Sequence, residues 1–295
     1  MIEIKNLSHS LGGNKILENV NLEIPDGCIM GLIGINGAGK TTLLRLLSGV
    51  YKPDSGEILY NENDNPQNEK TREKIFFLPD DPYYTTASTG ASIFKLYKTL
   101  YPAADDALFD SILNKYNLNK KKPLRNFSKG MRRQMFVALA MAIKPDYLLL
   151  DEAFDGLDPL ARKQFRDTIN QYVDENDTTV IISSHSLREL EDFCDMYALI
   201  DNHTVSGSGD IAERVSNLHK YQLAFAGEVP NKMLEAIPAS HLEINGKFVQ
   251  IILDADKDTA QALLRSLNPT VMDEMKMNFE ETFIYDVTTK KGDRK

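Results

Sequence analysis

One segment limits what this chain can fold into more than any other: Gly34-Ile35-Asn36-Gly37-Ala38-Gly39-Lys40-Thr41. It satisfies the pattern G-x-x-x-x-G-K-[ST] at every fixed position, and the pattern carries meaning only between a strand and a helix. Both neighbours are present. Cys28 to Ile33 is a short, nearly all-apolar run, as expected of a strand covered on both faces, and Thr41 to Leu47 has helical apolar spacing. Glycines let successive backbone N–H groups converge on phosphate oxygens, and the following helix points its positive end at the same anion. The loop therefore predicts nucleoside triphosphate binding through the backbone of Asn36, Gly37, Ala38 and Gly39. Lys40 is expected between the β- and γ-phosphates, with Thr41 on Mg²⁺ and Thr42 near the α-phosphate.

Further short apolar runs follow at Ile75-Phe76-Phe77-Leu78, Tyr147 to Leu150 and Thr179 to Ser183, with an amphipathic helix from Pro159 to Val173 and helical patterning from about Pro82 to Lys144. Strands alternating with helices predict a parallel sheet covered by helices. Near the start, Ile2 to Ile4 and Asn19 to Ile24 alternate apolar and polar residues, as in antiparallel edge strands, and Gly12-Gly13-Asn14 supplies the turn between them. The expected class is α/β, a phosphate-loop nucleoside triphosphatase with a parallel core sheet, an antiparallel β edge subdomain and an α-helical subdomain over about 82–145.

Past Ile200 the pattern changes. Ile211 to Lys220 reads as a linking helix, and a division is expected near residue 218. Beyond it come strand Tyr221–Phe225, helix Pro230–Ile237, strands Leu242–Ile244 and Phe248–Leu253, helix Thr259–Leu267 and strand Thr270–Met275. That β-α-β-β-α-β order predicts a small ferredoxin-like α+β domain over 219–289. The tail 290–295 is expected to be disordered.

Charge and composition narrow the partners. The 295 residues carry 34 basic and 43 acidic side chains, net −9, which argues against nucleic acid. Cys28 and Cys194 lie apart inside apolar stretches, as reduced packed thiols do in a cytosolic protein. The first five residues, Met1-Ile2-Glu3-Ile4-Lys5, lack a signal-peptide layout, and no stretch reaches the ~20 apolar residues of a membrane-spanning helix. Any membrane role is expected to run through a partner.

The remaining motifs choose among phosphate-loop enzymes. Tyr147-Leu148-Leu149-Leu150-Asp151-Glu152 resembles the Walker B segment of ABC ATPases, and Phe127-Ser128-Lys129-Gly130-Met131 resembles their signature segment, commonly LSGGQ. Asp155-Gly156-Leu157-Asp158 looks like the D-loop, and Ser183-Ser184-His185 like the switch histidine. The resemblance spans roughly residues 1–215. It implies that Asp151 holds Mg²⁺, usually through water, that Glu152 accepts a proton from the attacking water, and that His185 contacts the γ-phosphate. It also implies that Ser128 and Gly130 face the nucleotide held by a second subunit, with Asp158 at the same junction, so that two copies complete two sites. Ser128 reads equally as the N-cap of a helix from Met131 to Ile143.

In the signature segment Lys129 replaces a glycine and Met131 the glutamine of the common form, and two further positions depart from the family. Asp80, in Leu78-Pro79-Asp80, stands where glutamine is common and is expected at the metal. Leu11 stands where an aromatic ring usually stacks on adenine, so weaker adenine discrimination is expected. The absence of a second phosphate loop and of a long heptad insertion sets the chain apart from translation-factor and chromosome-maintenance relatives. The motif set is most similar to bacterial ABC-2-type exporters of the phenol-soluble-modulin and Ytr-like peptide or antibiotic export kind. The ending Asn278-Phe279-Glu280-Glu281-Thr282-Phe283 resembles the ending of many such subunits, and an ordinary amphipathic helix accounts for it as well. The implied assembly is a cytoplasmic homodimer or heterodimer of ATPase subunits, docked on an integral membrane permease and using ATP and Mg²⁺. A soluble regulatory ATPase and a non-hydrolysing nucleotide sensor are the alternatives.

Overall fold

The computed structural model describes every residue except 217, 228, 231–233, 235, 240, 278–280 and 282–295. The chain divides into two compact units, Met1–Ser208 and Gly209–Lys295.

In the first unit, β1 (Ile2–Leu11) and β2 (Asn14–Ile24) form a hairpin with Gly12 and Gly13 in its two-residue turn, and both turn residues have positive φ. That turn twists with the strands it joins. With β4 (Ser55–Tyr60) the hairpin makes a three-stranded antiparallel sheet in the order β2-β1-β4. Both strands run well past the segments expected from alternation. Bulges in the β1–β2 register break the strict period of two between Ile4 and Ser10, which hides the strand from pattern reading.

The second sheet of this unit has the order β5-β6-β7-β3-β8-β9. Its strands are β3 (Ile29–Ile33), β5 (Ile75–Leu78), β6 (Tyr147–Leu150), β7 (Thr179–Ser183), β8 (Met196–Asp201) and β9 (Thr204–Asp210). Every residue of β3, β6 and β7 is buried, as their largely apolar sequence leads one to expect of strands covered on both faces. The pairs β5–β6, β6–β7, β7–β3 and β3–β8 are all parallel. The carboxyl ends of β3, β6 and β7 therefore open side by side, where ligands settle in open α/β sheets.

Helices α1 (Lys40–Leu47) and α2 (Glu69–Arg72) precede a three-helix region of α3 (Gly90–Leu100), α4 (Asp106–Lys115) and α5 (Lys129–Ala142). The helical patterning over 82–144 thus resolves into three helices. Pro102 stops the first, because the residue before a proline is driven out of the helical region, and Tyr101 is extended with ψ of 90°. Phe94 of α3 stacks on Phe109 of α4 with centroids 4.4 Å apart. The last helices of the unit are α6 (Pro159–Asn176) and α7 (Leu187–Glu191).

The second unit begins with the end of β9 and α8 (Ile211–Ser216), followed by β10 (Leu218–Ala224), β11 (His241–Asn245), β12 (Phe248–Asp254), α9 (Lys257–Arg265) and β13 (Val271–Met275). Its sheet has the order β11-β12-β10-β13, with every pair antiparallel. Tyr221, Leu223, Val249, Ile251 and Leu253 alternate onto one face and pack with Ala260 and Leu264 of α9. The helix expected over Ile211–Lys220 stops at Ser216, and Leu218 already pairs in β10. Half of the helix expected over Pro230–Ile237, the Asn278–Phe283 pattern apart from Glu281, and the tail 290–295 lie outside the described residues.

Candidate nucleotide site

The phosphate loop leaves β3 at Gly34 and enters α1 at Lys40. Gly39 caps the helix with φ 111°, a backbone conformation that a side chain resists, and a Cβ there would meet Leu17 at 2.9 Å. Lys40 is only 6% exposed, and its Nζ donates to the carbonyls of Gly34 (2.7 Å) and Ile35 (3.4 Å). Burial lowers its pKa, while the charges of Glu152 and Asp151 oppose the fall. The loop thus holds a desolvated cation beside its own backbone. A pocket of about 400 Å³ opens above it, lined by Asn36 to Thr42 together with Ile16 and Glu152.

The end of β6 faces this loop. Thr41 Oγ1 donates to Asp151 Oδ1 at 3.1 Å, and Ser183 Oγ, at the end of β7, donates to the same oxygen at 2.7 Å. Ser183 Oγ also accepts from the backbone N–H of Glu152 at 2.9 Å. Glu152 itself has φ 46°, a left-handed conformation that costs a non-glycine residue on the order of 1–3 kcal/mol and persists only where its surroundings hold it. Its Oε2 lies 2.9 Å from His185 Nδ1, and its Oε1 lies 3.8 Å from Lys40 Nζ. Lys40, Thr41, Asp151, Glu152 and His185 are therefore brought together. A hydroxyl beside one carboxylate suits Mg²⁺, which takes one or two carboxylates and completes its shell with substrate phosphate and water. Among the described residues no group of three or more His, Cys, Asp or Glu side chains makes a metal cage, which such a shared site does not need.

The signature segment is built separately. Ser128 caps α5, accepting from Met131 N–H at 3.1 Å. Gly130 packs so close to the D-loop that a Cβ would stand 2.8 Å from Gly156 O, so small size is required here by the fold alone. Lys129, where the common signature has glycine, donates to Asp155 and lies 3.4 Å from Asp80 Oδ1. The hydrogen bond raises the pKa of Lys129 and lowers that of Asp155. Asp158 caps α6, accepting from Ala161 N–H at 2.9 Å. No residue of 127–131 lines the phosphate-loop pocket.

Two expected site residues are not among those that line the pocket. The carboxylate of Asp80 is taken up by Arg133 (2.8 Å) and Lys129, so the aspartate stands as a counter-ion, whereas Thr41 pairs with Asp151. Leu11 sits at the tip of the β1–β2 hairpin, opposite Asn14, and it is Ile16 that lines the pocket. Pattern reading also passed over Ser183 and Arg133. Arg133 falls three residues after Gly130 and four before Val137, on the buried stripe of α5, and a lone cation on such a stripe is the signal that marks it.

A family profile described as "ABC transporter" matches residues 17–155. The ABC transporter ATP-binding protein YtrB of Bacillus subtilis (strain 168) is 31% identical over 285 residues, covering 96% of this chain and 97% of that protein. The lantibiotic transport ATP-binding protein SrtF of Streptococcus pyogenes is 31% identical over 229 residues, 76% of this chain and 98% of its own length. A solved structure described as the ATP binding subunit of an ABC transporter superposes with a TM-score of 0.66 at 26% identity, covering 72% of this chain and 91% of that one.

Proposed function

The chain belongs to the ABC transporter ATP-binding proteins, and from that premise we propose that it drives export of a peptide or antibiotic through a separate membrane permease, working as a dimer that closes on two molecules of ATP. One observation carries the dimer: the pocket over the phosphate loop has no wall from the signature segment of the same chain. Ser128 and the start of α5 hold phosphate-directed donors that complete the pocket of a second ATPase subunit.

In each closed site Lys40 holds the β- and γ-phosphates, and Ser128 and Gly130 of the other subunit meet the γ-phosphate. Thr41 and Asp151 hold Mg²⁺, which would neutralise phosphate charge when bound. Glu152 accepts a proton from water as the water oxygen bonds to the γ-phosphorus and the bond to the β–γ bridging oxygen breaks, giving ADP and phosphate. His185, bonded to Glu152, orients that carboxylate. Lys40 and the opposing helix end take up the charge that develops on the phosphoryl oxygens.

The permease is proposed to dock beside the loop after β5, where Pro79, Pro82, Tyr83, Tyr84, Leu96 and Tyr97 line a groove and Tyr83 is 88% exposed. Among the described residues no helix is long and apolar enough to cross a membrane, so attachment to the inner membrane face falls to that partner. The lantibiotic transport relative supports the cargo class.

The test replaces Glu152 with Gln. Phosphate release is expected to fall at least ~100-fold, the range of general-base catalysis, while ATP converts the chain to a dimer measurable by sedimentation. Turnover at the parental rate would reject Glu152 as the base.

A further inference from the structure

Arg133 lies in the second turn of α5 and is 3% exposed, yet its guanidinium reaches two loops that belong to different strands. One nitrogen donates to Pro79 O at 3.0 Å and to Asp151 O at 3.4 Å. The other donates to Asp80 O at 3.0 Å, Asp80 Oδ1 at 2.8 Å and Glu152 O at 3.1 Å. Pro79 and Asp80 follow β5, and Asp151 and Glu152 follow β6. A planar fork with fixed donors can satisfy carbonyls from both at once, whereas a lysine presents a single point charge.

The contact with Glu152 matters because that residue has φ 46°. Its N–H is fixed by Ser183 and its carbonyl by Arg133, so the two peptides flanking the left-handed residue are held from opposite sides. The direction of the Glu152 carboxylate follows from that backbone.

We infer that Arg133 is a positioning residue for hydrolysis, a clamp that holds the Glu152 backbone and ties it to the loop carrying Asp80, with the Asp80 carboxylate as its counter-charge. The clamp rests on the reading of Glu152 as the base. It reassigns Asp80 from metal to guanidinium, and it gives the loop bordering the proposed permease groove a two-contact path to the catalytic backbone. A purely structural arginine would instead glue the helical region to the sheet, with no preference for the chemical step.

The experiment measures steady-state hydrolysis and ATP binding on the full chain for Arg133→Met, Arg133→Lys and Asp80→Asn, with Glu152→Gln alongside. Arg133→Met is expected to lower kcat about 10- to 100-fold, the cost of displacing a reacting group by about an ångström, with KM and ATP affinity within about threefold. Arg133→Lys should fall between that variant and the parent. Asp80→Asn, which keeps every carbonyl contact, should lose about fivefold or less. Parental kcat in Arg133→Met, or equal losses of kcat and ATP affinity, overturns the clamp. If Arg133→Met does not fold, parental kcat in Arg133→Lys does the same. Turnover surviving in Glu152→Gln fails the base itself, whereas an inactive Glu152→Gln beside a fully active Arg133→Met fails only the clamp.

Discussion

The phosphate loop and the start of α5, the two parts of the proposed nucleotide site, are built on opposite plans. In the loop the polar groups answer one another. Lys40 is buried against the carbonyls of Gly34 and Ile35, and Thr41, Asp151, Ser183 and Glu152 form one chain of hydrogen bonds at the ends of β3, β6 and β7. At α5, Ser128 is exposed and serves only its own helix, and Lys129 rests on Asp155. The first arrangement is preorganised within the chain. The second is a helix end that is stable as it stands and still presents its face outward. A site divided between two subunits calls for this asymmetry, because each half must survive without the other.

Ser128→Asp is the sharpest way to break that comparison. Aspartate caps helices about as well as serine, and a carboxylate is favoured at a helix N-terminus, so the melting temperature should stay within about 1 °C or rise. Against the γ-phosphate of a second subunit the same carboxylate is a like charge, costing several kcal/mol, and ATP turnover should drop at least ~100-fold. Binding of ATP to the single chain should be unchanged. Calorimetry, a binding titration and phosphate release separate the three. Undiminished turnover would mean that the start of α5 never meets a nucleotide.

A smaller effect bears on the other half. If Ile16 rather than Leu11 meets the base, Ile16→Ala should weaken ATP binding by about 1 kcal/mol, roughly fivefold, because alanine covers less of the apolar face of the base. Leu11→Ala should change it less than twofold. Equal effects, or the reverse order, would move the base contact back to the hairpin tip. Titration in the Glu152→Gln background keeps hydrolysis from obscuring the measurement.

How far these features were legible depended on distance along the chain. The loop, the ends of β6 and β7 and the cap at Ser128 are contiguous motifs whose chemistry lies within a few residues, and an all-apolar strand announces its own burial. The partner of Asp80 was hidden for the opposite reason. That partner, Arg133, is 53 residues away and becomes a neighbour only when α5 packs over the ends of β5 and β6. Which hairpin residue comes to line the pocket, here Ile16, is equally hidden, because bulges shift the β1–β2 register and no alternation pattern reveals how many residues a bulge absorbs. Lys129 and Asp155 could be read as departures or as family marks, but their mutual contact needed the fold.

That last contact gives the mildest test. Lys129 and Asp155 are each nearly half exposed, so the pair should contribute no more than about 1 kcal/mol. Asp155 has a lowered pKa, so its share is present above the unfolded carboxylate value of about 3.9 and is lost as pH falls through the lower folded value. Lys129 has a raised pKa, so its share is present below the unfolded value of about 10.4 and is lost as pH climbs through the higher folded value. Between about pH 5 and 9 both shares are complete. Asp155→Asn should therefore lower the melting temperature by no more than ~4 °C, by a constant amount across that window, and the gap should close below about pH 4. A gap that persists in acid would mean that Asp155 stabilises the D-loop by something other than its charge. The start of α5 would then be tied down as firmly as the phosphate loop, and the contrast between the two halves would shrink to a difference in exposure.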